Sequence, residues 1–145
     1  QPNYTFVLDL NNPRIEKHGN LTPEDEDNFL LAWAIGTTSN SNTITLVRER
    51  YLIGNGVAQQ DRVGAAFLAV RRAKDSGHNT VGAVAYSDSF FTFSDGPAVL
   101  VEAGIKAIFA SSGSVRDEKI KEFCKKKGIV LYLIPDAVGR GFYGH

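Results

Sequence analysis

The sequence predicts an α/β fold, a three-layer α-β-α sandwich, on three observations. Helix-like and strand-like segments alternate along the second half of the chain, as they do in parallel β-α-β units. The last two predicted strands, residues 105–110 and 129–134, are largely apolar, which is typical of strands buried on both faces. Gly104 and Gly128 stand just before them, where helices commonly end. The 145 residues suffice for a single domain, residues 1–145, with its own core.

The first third of the chain is predicted to contain an extended arm and one helix. Residues 4–10 alternate loosely between apolar and polar side chains, which favours an edge strand or an arm, so residues 1–20 are interpreted as an arm or linker. Thr22 is a typical helix N-cap and Pro23 fits the first helical position, so a helix is predicted to about residue 35. Its predicted core-facing residues are Phe29, Leu30, Trp33 and Ala34.

A hairpin and a second helix are predicted next. Residues 43–47 and 51–53 are rich in β-forming side chains and are separated by three charged residues, as in a hairpin. Gly54 and Gly56 are predicted to break the second strand. A helix is then predicted over residues 60–75. Its predicted apolar face consists of Val63, Phe67, Val70 and Ala73.

The remaining elements are predicted to alternate between strands and helices up to residue 134. They are a strand at 81–86, a helix at 97–103, a strand at 105–110, a helix at 117–127 and a strand at 129–134.

Composition excludes several classes of function. Sixteen basic residues balance sixteen acidic ones, whereas a nucleic-acid binder normally carries a basic excess, so a small-molecule partner is favoured. The sequence has a single cysteine, no signal peptide and no long apolar run. These features predict a protein of the reducing cytoplasm that does not contact a membrane. His18, His78 and His145 lack the spacing of zinc ligands. Cys124 has no partner cysteine, and its apolar neighbours predict an inert, packed thiol.

Four loops and the C-terminal tail carry more glycine and polar residues than turns require. Residues 39–43 are either a solvated turn or a set of hydrogen-bond donors. Residues 54–62 place glycines before a helix start, where backbone amides can approach an anion. Residues 87–95 contain three phenylalanines, either core residues or a platform for a planar ligand. Residues 111–117 are consistent with an anion site or a helix cap, and residues 139–145 combine glycines with aromatic residues.

In this order the loops resemble the C-terminal half of the AICAR transformylase domain of the bifunctional enzyme that also carries IMP cyclohydrolase. That family has SN after a helix, GIGAGQxSR, SDAFFPFxD, a P(G/S)GS turn and an RxFxH-like end. The chain has Ser41 and Asn42, then GNGVAQQDR, SDSFFTFSD, SSGS and RGFYGH. The resemblance spans about residues 21–145. It implies a cytidine deaminase-like fold without zinc, a homodimer, and formyl transfer from 10-formyltetrahydrofolate to the 5-amino group of AICAR in purine biosynthesis.

The resemblance also implies roles for individual residues. Asn42 would be catalytic, with a hydrogen bond near the reacting amine or formyl group, and Phe90 would lie against the aminoimidazole. Asp95 would meet the folate, and Arg140 would pair with the ribotide phosphate. The residues that would shape the pocket are Gly54, Gly56, Gln59 and Arg62. The residues that would hold a monovalent cation, potassium, are Ser39, Ser41, Thr43 and Asp88.

The family's catalytic Lys-His pair, in a KHxNPCG segment, belongs to the first half of the domain, so this chain is expected to be inactive without that half. Lys17 and His18 imitate the motif, but Leu21 follows where it requires proline, and His18 is not expected to be catalytic. Thr92 and Ala58 also depart from the family pattern. Two alternatives stay open: a non-catalytic module that binds a purine ribotide, and a scaffold whose loops bind nothing.

Overall fold

The computed structural model describes residues 8–91, 93–111 and 117–135, which form a six-stranded mixed sheet between two helical layers. Thr92, most of the SSGS turn and the tail with Arg140 lie outside the described residues. The strands run in the order β1-β6-β5-β4-β2-β3; β4, β5 and β6 are parallel and the other pairs are antiparallel. The elements are β1 Glu16–His18, α1 Pro23–Gly36, β2 Ile44–Arg48, β3 Tyr51–Gly56, α2 Arg62–Asp75, β4 Val84–Ser87, α3 Asp95–Glu102, β5 Ala107–Ser111, α4 Asp117–Lys126 and β6 Val130–Ile134.

Alternating side chains divide the interior into two cores, one on each face of the sheet. On β5, Ile108 and Ala110 join the core under α2, α3 and α4, while Ala107 and Phe109 join the core under α1. The period of two along a strand produces this division. The three-layer prediction is therefore confirmed. Within the described residues, no helix is both long and apolar enough to cross a membrane.

Helix α1 begins as predicted and buries part of the predicted face: Phe29 is buried, and Leu30 and Trp33 pack half-buried against the core. The Asp25 amide donates to Thr22 Oγ1 at 3.2 Å, so Thr22 is the N-cap. Ala34, predicted to be buried, is exposed. The Phe29 ring fixes the rotation of the helix because it packs between Phe109 and Tyr132, with centroid distances of 5.2 and 5.3 Å. The buried residues of α1 are Asp25, Asn28, Phe29, Ala32 and Gly36.

The hairpin of β2 and β3 is confirmed, but the predicted strand break is wrong. Strand β3 continues through both glycines to Gly56. A Cβ atom on Gly54 would lie 2.1 Å from the Ala69 carbonyl oxygen, and one on Gly56 would lie 2.1 Å from that of Ala65. Glycine is therefore required here because the backbone of α2 lies directly on the strand.

This close approach also explains why the predicted face of α2 is only partly right: Val70 and Ala73 are buried, but Phe67 is not. Phe67 is 59% exposed, because a helix lying on β3 has no room for a large side chain at the contact. The helix begins at Arg62, and the Asp61 side chain caps it by accepting from the Gly64 amide at 2.6 Å. The buried residues of α2 are Ala65, Ala66, Ala69, Val70 and Ala73.

The sequence predicted an edge strand or an extended arm at residues 4–10, of which the structure describes residues 8–10. Residues 8–10 form no strand; Leu8 and Leu10 are buried in the core under α1. The Asp9 side chain accepts from the Asn11 amide at 2.9 Å, which turns the chain instead of extending it. Strand β1, Glu16–His18, pairs with β6 and forms that edge.

Candidate functional site

A cleft of about 340 Å³ opens at the edge of the sheet where β4 ends and β2 begins. The first residues of α2 and α3 complete its walls, so it lies at the carboxyl end of a parallel strand, where α/β proteins commonly bind ligands. The residues that line it are Asn42, Gln60, Asp61, Arg62, Val63, Ser89, Phe90, Phe93, Asp95 and Gly96.

Asn42 stands in the cleft with its side-chain amide held at both ends. Its Nδ2 donates to the Gln59 carbonyl at 2.9 Å, and its Oδ1 accepts from Arg62 Nη2 at 2.6 Å. The backbones of Asn42 and Gln59 also exchange two hydrogen bonds of 3.2 Å. The loop before β2 is therefore fastened to the loop before α2, and the orientation of the Asn42 amide is fixed.

Arg62 connects three of the loops around the cleft. Its Nη1 donates to Asp88 Oδ1, and its Nη2 also donates to Ser89 Oγ. The Asp88 side chain is 1% exposed and lies behind the cleft wall, where it also accepts from the Thr43 amide at 3.1 Å. A buried carboxylate needs a partner of opposite charge, and Arg62 supplies it.

The three phenylalanines after β4 occupy three different environments. Phe91 is 1% exposed and packs against Gly96, where an added Cβ would lie 2.7 Å from its ring. Phe90 lines the cleft and is 8% exposed, whereas Phe93 lines it at 55% exposure. Two of the three rings, Phe90 and Phe91, therefore belong to the core, and Phe90 and Phe93 line the cleft.

Acidic side chains also line the cleft. Asp95, the residue predicted to meet the folate, is the first residue of α3 and lines the cleft. Asp61 accepts from the amide of Gly64 at the start of α2. The sequence suggested that backbone amides at this helix start can approach an anion; the Gly64 amide donates to the Asp61 carboxylate.

Not every residue assigned to the pocket lies along it. Gly54 and Gly56 contact α2, and Gln59 reaches the site through its main-chain carbonyl, since its side chain donates to the Val57 carbonyl at 2.9 Å. Arg140, predicted to bind the phosphate, lies outside the described residues.

The predicted cation ligands are only partly brought together. Thr43 and Asp88 exchange two hydrogen bonds, whereas the Ser39 hydroxyl donates to the Ile35 carbonyl at 3.0 Å and accepts from Asn55 at 3.3 Å. Ser41 is exposed. Among the residues that the structure describes, no group of three or more His, Cys, Asp or Glu side chains is placed to hold a metal ion. The potassium site stays a prediction.

Two other side chains of interest lie away from the cleft. His18 lies in β1, which β6 and β5 separate from β4, and its Nε2 contacts Glu16 Oε2 at 2.6 Å. Cys124 is fully buried, as predicted, and desolvation raises the pKa of its thiol to about 11.

Several residues that line the cleft were not predicted from the sequence. Ser89 was passed over because a lone serine in a polar loop carries no spacing signal. Phe93 was not singled out among the three phenylalanines. The ion pair of Arg62 with Asp88 joins residues 26 positions apart, and only the pairing of β2 with β4 brings their segments together.

Two proteins that are similar to this chain in sequence carry the same name. Residues of this chain are 44% identical over 111 positions to the bifunctional purine biosynthesis protein PurH of Mycobacterium ulcerans, and 40% identical over 113 positions to that of Corynebacterium glutamicum. The aligned segments cover 77% and 78% of this chain but 21% of each relative. The chain thus spans about a fifth of the length of the curated relatives it matches. No protein-family profile matches it.

Structural comparison identifies the fold. The dCMP deaminase of cyanophage S-TIM5 superposes with a TM-score of 0.53 at 13% identity, covering 79% of this chain and 100% of that chain. Acinetobacter baumannii RibD superposes with a TM-score of 0.52 at 19% identity, covering 77% of this chain and 36% of that one. The predicted cytidine deaminase-like α/β fold is therefore confirmed.

Proposed function

Because the chain is homologous to one segment of the bifunctional purine biosynthesis protein PurH, we propose that it supplies the substrate-positioning half of a formyltransferase active site. The reaction moves a formyl group from 10-formyltetrahydrofolate to the 5-amino group of AICAR. The observation that carries the proposal is the fixed Asn42 amide, which stands in the same cleft as Phe90 and Asp95.

The chemistry requires accurate placement of two substrates. The amine of AICAR is conjugated with the imidazole and is a weak nucleophile, so orientation of the reactants contributes much of the rate. Phe90 provides an apolar face for the heterocycle. Asn42 lies in the same cleft and supplies a hydrogen bond to the reacting groups, where charge develops on the formyl oxygen. Asp95 contacts the folate.

Proton transfer is proposed to come from a second segment. The described residues that line the cleft include no histidine or lysine; of the two carboxylates there, Asp61 accepts from the Gly64 amide and Asp95 is assigned to the folate. General acid-base catalysis needs a group within hydrogen-bond reach of the transferred proton. We therefore propose that the N-terminal half of the transformylase domain is the partner that contributes this group. We further propose that two copies of the resulting unit form a dimer.

A reconstitution assay tests this proposal. The chain is mixed with the N-terminal half of the transformylase domain of the Mycobacterium ulcerans relative, and formyl transfer is followed with AICAR and 10-formyltetrahydrofolate. We expect turnover in the mixture and none with either part alone. Asn42→Ala should lower turnover by about 100-fold, the usual cost of one preorganised donor. Asn79→Ala is the matched control, since Asn79 lies before β4 at the opposite end of the sheet.

Two outcomes would contradict the proposal. Turnover by the chain alone would show that it contains its own acid-base group. Calorimetric binding of AICAR with no turnover in the mixture would instead support the non-catalytic ribotide-binding module.

A further inference from the structure

The Asp88 carboxylate lies at the centre of the hydrogen bonds behind the cleft. It accepts from Arg62 Nη1 and, at 3.1 Å, from the Thr43 amide, and the Asp88 amide donates back to the Thr43 carbonyl at 3.3 Å. Thr43 is the residue that follows Asn42. One side chain thus holds both the backbone beside Asn42 and the guanidinium that contacts the Asn42 amide.

The orientation of Asn42 depends on that guanidinium. A guanidinium can only donate, so it must face Oδ1, and the Gln59 carbonyl can only accept, so it must face Nδ2. Donation from a charged group to Oδ1 polarises the amide, which makes Nδ2 the stronger donor. Without its carboxylate partner, Arg62 would lose its ionic contact and keep only the two hydrogen bonds of Nη2, to Asn42 and Ser89.

We propose that Asp88 is a positioning residue for Asn42, acting through Arg62 and the Thr43 amide. Asp88 does not line the cleft, so it does not touch the substrate. This inference rests on the proposed function for its kinetic consequence, but its structural consequence does not depend on the identity of the ligand.

The first test is spectroscopic. The side-chain amide signals of Asn42, identified by their absence in Asn42→Ala, are recorded for the full chain and for Asp88→Asn, which preserves shape and removes charge. Asp25→Asn is the matched control, because Asp25 is also a buried carboxylate in an ion pair, at 2.8 Å from Lys106 in a different cavity. We expect the Asn42 signals to shift or broaden in Asp88→Asn and to stay in place in Asp25→Asn.

The second test is kinetic and uses the reconstituted pair. Asp88→Asn should lower kcat about 100-fold, the loss expected from a misplaced catalytic group, with the KM for AICAR within threefold of the unsubstituted value. If Asp88→Asn does not fold, Asp88→Glu replaces it, since the longer side chain keeps the charge and displaces the carboxylate.

Two results would overturn the inference. Unchanged Asn42 signals in Asp88→Asn would show that Asp88 does not position the amide. Full recovery of kcat at saturating potassium would show that Asp88 acts as a cation ligand. Absence of turnover in the unsubstituted pair would count against the proposed function alone, and the spectroscopic comparison would still decide the role of Asp88.

Discussion

The two edges of the sheet are attached to helices by different contacts, which are buried at one edge and exposed at the other. Beside the cleft, the ion pair of Arg62 with Asp88 has side chains 14% and 1% exposed, and the backbone of α2 lies directly on β3. At the other edge, β1 is joined to α4 by Lys121 and Glu16, 2.9 Å apart, with side chains 20% and 48% exposed. Lys17 joins the same strand to Glu26 of α1 at 3.7 Å.

The difference shows where this fold needs exact geometry. Buried ion pairs lose hydration and hold their partners in one arrangement, whereas exposed pairs are screened by water and contribute little. The ion pair beside the cleft therefore fixes the positions of side chains, whereas the ion pairs of β1 only fasten an edge strand. Substitutions beside the cleft should therefore lower the free energy of unfolding more than substitutions at the β1 edge.

The largest effect is expected from Arg62→Met. This change leaves the buried Asp88 carboxylate without the guanidinium, so the free energy of unfolding should fall by about 3–5 kcal/mol. Urea unfolding followed by the fluorescence of Trp33 measures it. The double variant Arg62→Met/Asp88→Leu is the control, since it removes both charges and should recover much of the loss. A double variant no more stable than the single one would show that packing, not charge, holds this region.

A smaller effect is expected from Gly54→Ala. The added Cβ would lie 2.1 Å from the Ala69 carbonyl oxygen, so α2 must move away from β3, at a cost of about 1–3 kcal/mol. Lys74→Ala on the exposed side of the same helix is the control and should change stability by less than about 0.5 kcal/mol. Equal stability of the two variants, measured by the same urea unfolding, would mean that the contact between strand and helix is not tight.

These glycines show what sequence could and could not predict about the fold. The alternation of elements, the Thr22 cap and the hairpin follow from local patterns, and the structure confirms them. A glycine in a strand indicates either the end of the strand or a close contact with another backbone. Only the position of the neighbouring helix shows which of the two applies. The same helix position decided that Phe67 lies outside the core.

Some residues of the candidate site were predictable one by one, but the network that joins them was not. Asn42, Phe90 and Asp95 were found by resemblance, and the structure brings all three to one cleft. Arg62 was expected to shape the pocket, and Asp88 was expected to bind a cation. Their ion pair depends on β2 lying between β3 and β4, which is a property of the sheet order and not of either loop.

The smallest effect is expected at the exposed edge. The hydrogen bond from His18 and then the one from Lys121 lower the pKa of Glu16 from its ordinary value of 4.5. A carboxyl with a lowered pKa stabilises the fold above its ordinary pKa, and this contribution is lost as the pH falls through the lower value in the folded protein. Because Glu16 is half exposed, Glu16→Gln should reduce the free energy of unfolding at neutral pH by less than about 1 kcal/mol.

The pH dependence of that difference distinguishes an ion pair from a packing contact. Urea unfolding of both proteins from neutral pH to below the ordinary carboxyl pKa should show the difference shrinking once Glu16 is protonated in both states. Glu118→Gln is the matched control: Glu118 also contacts Lys121, at 3.2 Å, but is 87% exposed, so its loss should leave stability unchanged. A difference that persists at acidic pH would mean that Glu16 holds β1 through packing, and the contrast between the two sides of the sheet would then be one of degree.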